Sequence, residues 1–431
     1  MQAVWRKKIL GMFQFIKTKA RRYAHVISVF FHPPGKDSVV FIFHSCGSFA
    51  GMERNTLNLT RLINGDAYNI VVAAHRGPYW KVFKEQVPQV LLRRFPVYGR
   101  GLLRFVRMIV FLRKVNARKV VWLYNQVGDF SFSESFAAFL YTRGDVFIDH
   151  HNFPKSYESF DKMINSMPAI LRSFMRYMQR IDFAIQHAMV RRIITISDDV
   201  KNELVQAWGL PDKKITTYRR GVDLGLFFHE ESQKAGIKAQ YGCPEEAVLF
   251  LSVVRFSEEK RIDRLLGSFL LLLRANTSAR LLILGNGPLK GMFEKRIFKN
   301  RLLRDNVTLL GHQQNVHEII RGSDFMLLAS DKEGQSTVIK EVMASGVIPV
   351  VTRTPGSGEL IGDVLISERD VFAYARKIRQ VIAIKKEGLG QIKRALINEI
   401  HQNYNEKLCS AELLNGLGIP AKDGPLLGAP L

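Results

Sequence analysis

From Ser38 onward, short apolar runs rich in β-branched residues alternate with amphipathic helical stretches, and the whole alternation occurs twice. In the first series "VVFIFH" precedes "MERNTLNLTRLI". "NIVVAA", "KVVWLYN" and "DVFIDH" follow, with helical "SESFAAFLY" between the last two. "RRIITIS" then leads into "DDVKNELVQAWG", where Ser197 or Asp198 can cap the helix, and "KKITTY" closes the series. The second series runs "AVLFLSVV", "RIDRLLGSFLLLLR", "ARLLILG", "PLKGMFEKRIF", "NVTLLG", "DFMLLAS" and "VIPVVT". Strands that are apolar throughout, separated by helices, predict βαβ units and a parallel sheet covered on both faces. The expected fold class is therefore α/β, with two tandem parallel-sheet domains.

A chain of 431 residues suits two domains. The expected division is a basic amphipathic segment over 1–37, a first domain over 38–220 and a polar linker over 221–242. The second domain then spans 243–414, with its last helices able to pack back on the first. The Gly- and Pro-rich tail 415–431 is expected to be poorly ordered.

No stretch approaches the ~18 uninterrupted apolar residues of a membrane span. The N-terminus lacks the long apolar core and cleavage site of a secretory signal. Cys46, Cys243 and Cys409 are too far apart for a disulfide framework or zinc cluster, so a cytosolic setting with reduced thiols is expected.

Charge divides the chain. Of a formal net +24, residues 1–220 hold 35 Lys/Arg against 15 Asp/Glu, and the remainder 28 against 24. Such asymmetry points to a polyanionic partner for the first half, an anionic membrane face or nucleic acid. Eight basic residues precede Asp37 with no acid among them, interleaved with Trp5, Ile9, Leu10, Phe13 and Ile16. From Lys81 to Lys119 there are eleven basic residues and one acid, Glu85, with Leu103, Val106, Ile109 and Val110 among Arg104, Arg107, Arg113 and Lys114. Basic, apolar helices of this kind lie in lipid headgroup layers. No zinc spacing or aromatic RNA-binding motif accompanies the charge, which favours membrane over nucleic acid.

Ligands of open parallel sheets bind beyond the carboxyl ends of the strands, so the residues just after each strand are candidates. Gly47 and Gly51 flank a turn that opens into a helix, where backbone amides can hold a phosphate. Arg255 and Lys260 sit at a strand exit and a helix start. They suit a diphosphate, or else pair with Glu258 and Glu259. Gly285 and Gly287 form another strand-to-helix turn. In "DKEGQSTVIKE", Glu333 occupies the loop and Glu341 the helix expected over Gln335–Ser345, either as two solvated charges or as acceptors for sugar hydroxyls.

Arg255–Lys260, Gly285–Gly287, "NVTLLG" and Glu333–Glu341, in that order, resemble the C-terminal half of the retaining, nucleotide-sugar-dependent "group 1" glycosyltransferases with GT-B fold. "EGQSTVIKEVMASGVIPVVT" is similar to that family's signature, "GSFAGMERNTLNL" to its G-G-x-E-R helix start, and "PGSGELI" to its last strand-end loop. The resemblance covers roughly 38–365. It implies two tandem Rossmann-like parallel-sheet domains facing a central cleft, a donor on the second domain and an acceptor on the first, with Arg255 and Lys260 on the diphosphate, Glu333 on the donor sugar and Glu341 on the ribose. Gly47 and Gly51 would approach the phosphates, and His151, rather than its neighbour His150, would lie beside the donor sugar. No Asp-x-Asp motif is present, so no metal and no separate cofactor is implied. Two departures stand out: Arg220 replaces the family's Asn before Gly-Val-Asp, and Gly334-Gln335-Ser336 replaces its Gly-Phe-Pro.

The implied activity is transfer of a sugar from a nucleoside diphosphate sugar, with anomeric retention, to a lipid-linked or envelope glycan such as lipopolysaccharide or capsule. It would occur peripherally at the cytoplasmic membrane face and without nucleic acid. A nucleotide-sugar epimerase or a phosphorylase on the same scaffold is the competing enzyme class, and a nucleic-acid-binding protein the non-enzymatic one.

Overall fold

The computed structural model describes residues 35–45, 51–75, 84–85, 87–94, 101–124, 132–150, 168–173, 185, 187–331, 333, 336–354, 357–358 and 360–422. The chain forms two compact units. One comprises residues up to Tyr218 together with those from Ser410 onward, and the other runs from Arg219 to Cys409. Gly47, His151 and the basic segment before residue 35 lie outside the described residues, as does most of the stretch over 151–186.

The first unit contains β1 (Ser38–Ser45), α1 (Gly51–Leu62), β2 (Asn69–His75), β3 (Val90–Arg94), α2 (Gly101–Lys114) and β4 (Ala117–Tyr124). It continues with α3 (Phe132–Tyr141), β5 (Val146–His150), β6 (Arg192–Thr195), α4 (Asp198–Gln206) and β7 (Ile215–Thr217). Its sheet is parallel, in the order β3-β2-β1-β4-β5-β6-β7. The continuous apolar runs are explained by two-sided burial. Val40 and Ile42 pack in one core with Val71, Val120 and Trp122, while Val39 and Phe41 pack in another with Val72, Val121 and Phe147. Ser197, not Asp198, caps α4 by accepting from the Val200 amide, and the Asp198 carboxylate instead accepts from the Thr217 hydroxyl at 2.7 Å.

The second unit contains α5 (Lys234–Gln240), β8 (Val248–Val253), α6 (Ile262–Arg274), β9 (Ala279–Leu284), α7 (Lys290–Lys299), α8 (Arg301–Asn306) and β10 (Val307–Gly311). After these come α9 (Val316–Gly322), β11 (Phe325–Leu328), α10 (Thr337–Ala344), β12 (Ile348–Thr352), β13 (Ile366–Ser367), α11 (Val371–Ile382) and α12 (Lys386–Asn403). Six parallel strands lie in the order β10-β9-β8-β11-β12-β13. Phe250 sits at the centre with its ring 6.0 Å from Phe269 and 5.7 Å from Phe325. At the strand-start edge, Asp324 accepts from the Leu249 amide and pairs with Lys234 at 2.7 Å and Lys238 at 2.9 Å. Burial works to raise this carboxyl, but the two ammonium groups prevail and hold it below the usual carboxylate range.

Two boundary expectations require correction. Residues 221–242 are not a linker: Val222 and Phe227 are buried in the second unit's core, and α5 forms within the stretch. Gly221 is packed so tightly that a Cβ there would lie 2.2 Å from the Glu406 Cα. The polar composition had concealed these few apolar anchors. The expected disorder of 415–431 does not hold for residues 415–422. Following α13 (Glu406–Gly416), Leu413, Leu414, Leu417 and Ile419 are buried with Val39, Phe41 and Val121, and Ala421 forms a bridge with Ile63. Each such burial contributes roughly 1.5–3 kcal/mol, which overrides the Gly/Pro signal of disorder.

Candidate active site

Because the six strands of the second unit are parallel, the loops after β8, β9, β11 and β12 emerge on the same sheet edge. They are stitched together by their backbones. Val254 and Phe256 donate to the carbonyls of Leu284 and Asn286, Leu289 donates back to Phe256, and Asp331 donates to Glu259 at 2.9 Å. The Thr352 hydroxyl closes the row on the Ser330 carbonyl at 2.7 Å.

Gly285 and Gly287 owe their identity to this stitching. Gly285 has φ +128°, and a Cβ there would lie 2.0 Å from the Val254 carbonyl oxygen. A Cβ at Gly287 would lie 2.5 Å from the Phe256 carbonyl oxygen. Close backbone approach to the loop bearing Arg255 thus requires both glycines. Their position in the sequence was legible; that they brace a neighbouring loop was not.

On that loop Arg255 is exposed and has no ion-pair partner among the described residues. Lys260 ends a 3-10 turn over Glu258–Lys260, and it pairs with neither adjacent glutamate. Its Nζ lies 2.6 Å from Glu333 Oε1, and the Ser330 hydroxyl donates to the same oxygen at 2.8 Å. The side chains are 21% and 12% exposed, so water screens this pair only in part. Two of the residues singled out from sequence therefore meet directly. Glu341 lies about one turn along α10 and is buried, 6% exposed, beside the wholly buried Lys340. The helix itself starts at Thr337, later than the sequence suggested, because Ser336 is still extended.

Sequence reasoning missed a second ionic cluster next to this pair along the chain. Arg261, at φ 47°, hydrogen-bonds Asp263 at 2.8 Å and Asp331 at 3.0 Å. Asp331 also pairs with the buried Arg264 at 2.8 Å, and Arg264 donates to the Ala329 carbonyl. Burial pushes the Asp331 carboxyl up, but the hydrogen bonds from Arg261 and Arg264 outweigh it and leave the carboxyl below its ordinary value. The carboxylate thereby locks the segment leading to Glu333. "RIDR" beside a strand end, with an aspartate opening a later loop, was the available signal.

Lys340 Nζ donates to the Arg220 carbonyl and lies 5.2 Å from the Tyr404 ring centroid. Complete burial pulls its pKa down to about 7. Residue 220, where the sequence departs from the family pattern, is thus tied by its backbone to the helix that carries Glu341.

Known proteins match both units. The family described as glycosyl transferases group 1 matches residues 233–396, and that described as glycosyltransferase family 4 matches residues 49–226. The chain belongs to the group 1 glycosyltransferases. The N-acetyl-alpha-D-glucosaminyl L-malate synthase of Bacillus anthracis is 27% identical to this glycosyltransferase over 226 residues, 52% of each chain. A Campylobacter jejuni enzyme named N-acetylgalactosamine-N,N'-diacetylbacillosaminyl-diphospho-undecaprenol 4-alpha-N-acetylgalactosaminyltransferase is 30% identical over 162 residues, 37% of this chain and 41% of its own. The glycosyltransferase thus spans about half the length of the first of these curated relatives and less of the second. Among solved structures, Anabaena Alr3699/HepE in complex with UDP and glucose covers 89% of this chain and 99% of its own at a TM-score of 0.71. At 15% identity that likeness is one of fold, and the fold of this glycosyltransferase is GT-B, two Rossmann-like parallel-sheet domains.

Proposed function

We propose that this glycosyltransferase moves a sugar from a nucleoside diphosphate sugar, with retention at the anomeric carbon and without a metal, to a lipid-linked or envelope glycan acceptor. The observation that carries the reading is the Lys260–Glu333 pair, set beside the exposed cation Arg255 at the strand-exit edge of the second sheet. Arg255 and Lys260 are the cations for the diphosphate, and they offset the negative charge that grows on the leaving nucleotide. Lys260 and Ser330 both donate to Oε1 of Glu333, which leaves Oε2 to accept from a donor-sugar hydroxyl. Glu341 serves the ribose. The UDP and glucose held by the Anabaena protein support the donor class, and the undecaprenol in the name of the Campylobacter relative supports a lipid-linked acceptor.

The same reading places the protein peripherally on an anionic, cytoplasm-facing bilayer. No helix among the described residues is long and apolar enough to cross a membrane. One stripe of α2, however, exposes Leu103 at 52%, Val106 at 46% and Val110 at 60%, alongside exposed Arg107, Arg113 and Lys114. Each basic residue near an anionic leaflet adds ~1 kcal/mol, so this stripe and the basic segment before it suit such a surface.

A donor panel tests the proposal. Thermal unfolding with UDP-, GDP- and ADP-sugars, paired with assay of donor hydrolysis, should single out one nucleotide class that raises the midpoint and is consumed. Absence of both effects for every donor would overturn the reading.

A further inference from the structure

We propose that the first unit carries a second ligand site, for a phosphate monoester of a small sugar or polyol, at the strand-start edge of its sheet. There a cavity of about 530 Å³ opens between β4, β5, β6 and β7 and the end of α13, within the size range of small-molecule sites.

The cavity gathers cations. Lys119, Arg191 and Arg192 line it from β4 and the start of β6. Lys119 is 7% exposed, with its Nζ 3.4 Å from Asp145 and 5.8 Å from the centre of the Phe147 ring. Asp145 also takes the Arg191 guanidinium, so one carboxylate serves two cations. Arg192 is exposed and has no ion-pair partner among the described residues. The one acid in the lining, Glu412, stands on the helical wall. A buried ammonium that shares its carboxylate with a second cation is stabilised by a further anion. The adjacent guanidinium groups offer forked donors that match phosphate oxygens.

The remaining walls suit a hydroxyl-bearing body rather than a bare ion. Phe147 and Tyr218 supply apolar ring surface, and Asn415 and Glu412 supply donors and acceptors for hydroxyls. Gly416 makes this wall possible, because a Cβ there would lie 1.7 Å from the Tyr218 hydroxyl oxygen. Only glycine lets the helix end sit over that phenol.

Calorimetric titration of the full chain with a hexose 6-phosphate, inorganic phosphate and the free hexose tests the site. The ester should bind, phosphate alone should bind about tenfold or more weakly, and the free hexose should give no measurable heat. Arg192→Ala, at an exposed position, should leave the thermal midpoint in place and weaken the ester about tenfold. Asn415→Ala should weaken the ester but not phosphate, and neither variant should alter binding of UDP. No ester binding at millimolar concentration, ester binding undiminished in Arg192→Ala, or phosphate binding as tightly as the ester would each overturn the proposal.

Discussion

The Arg261 guanidinium joins Asp263, two residues on, to Asp331, seventy positions further along the chain, while its own backbone holds a left-handed φ of 47°. A non-glycine residue in that region costs on the order of 1 kcal/mol, so the two carboxylate contacts must hold the conformation in place. Arg261→Ala loses the contacts and keeps the strain, whereas Arg261→Gly loses the contacts and relieves it. Urea unfolding should therefore find the alanine variant less stable than the glycine variant by about 1 kcal/mol. Equal stability of the two would show that the backbone is not strained there.

Glu333→Gln should lower turnover by roughly a hundredfold or more, since a carboxylate aligned by Lys260 is replaced by a neutral amide. The thermal midpoint should change little. Lys260→Ala should lower turnover as well, and the double variant should fall well short of the product of the single losses, because paired residues act as a unit. Steady-state rates of the four proteins check this, and near-normal transfer by Glu333→Gln would remove that residue from the site.

Gly285→Ala forces a Cβ to within 2.0 Å of the Val254 carbonyl oxygen at a φ of +128°, and nothing in that stretch of backbone can yield cheaply. A loss of about 2 kcal/mol or more is expected, together with weaker donor binding as the Arg255 loop shifts. Gly291, inside α7 with open space for 4 Å around the point a Cβ would occupy, is the contrast. Gly291→Ala should stabilise by about 0.5–1 kcal/mol. Denaturant midpoints of both variants decide the matter.

Lys340 gives stability a distinctive pH dependence. Its folded pKa lies near 7, below the unfolded value near 10.4, so between these limits the unfolded chain binds more protons than the folded one. Stability from this residue should rise as pH goes from about 7 to about 10 and be flat below 7. Lys340→Met should abolish that rise in unfolding curves recorded across the range. A slope that survives the substitution would mean another group is responsible.

Val110→Glu alters a position 60% exposed on the apolar stripe of α2. Flotation with vesicles rich in anionic phospholipid should show clearly weaker binding than the parent chain, with stability within about 0.5 kcal/mol. Undiminished flotation would shift the membrane contact to another surface.

Both parallel sheets could be read from the sequence because strands buried on two faces leave unbroken apolar runs. β3 was missed for the converse reason: as an edge strand, only Val90 of its five residues is buried, and its basic residues looked like part of a helical charge run. β13, two residues long, carries no pattern at all. In the site, Lys260 and Glu333 were visible because each follows a strand and fits a family spacing. Arg261, Arg264 and Asp331 were not, since only folding brings position 331 to position 261. Gly221 to Gly242 looked like a linker because two buried side chains, Val222 and Phe227, are too few to change its average polarity.

The burial of Leu413, Leu414, Leu417 and Ile419 against β-strands formed near the start of the chain sets an order of events during synthesis. The entire stretch from Arg219 to Cys409 must be translated before these side chains exist. At ~5–20 residues per second that is a delay on the order of 10–40 s. Throughout it, one face of the earlier sheet lacks its final cover, so the nascent protein should depend on ribosome-associated chaperones until its last helix emerges.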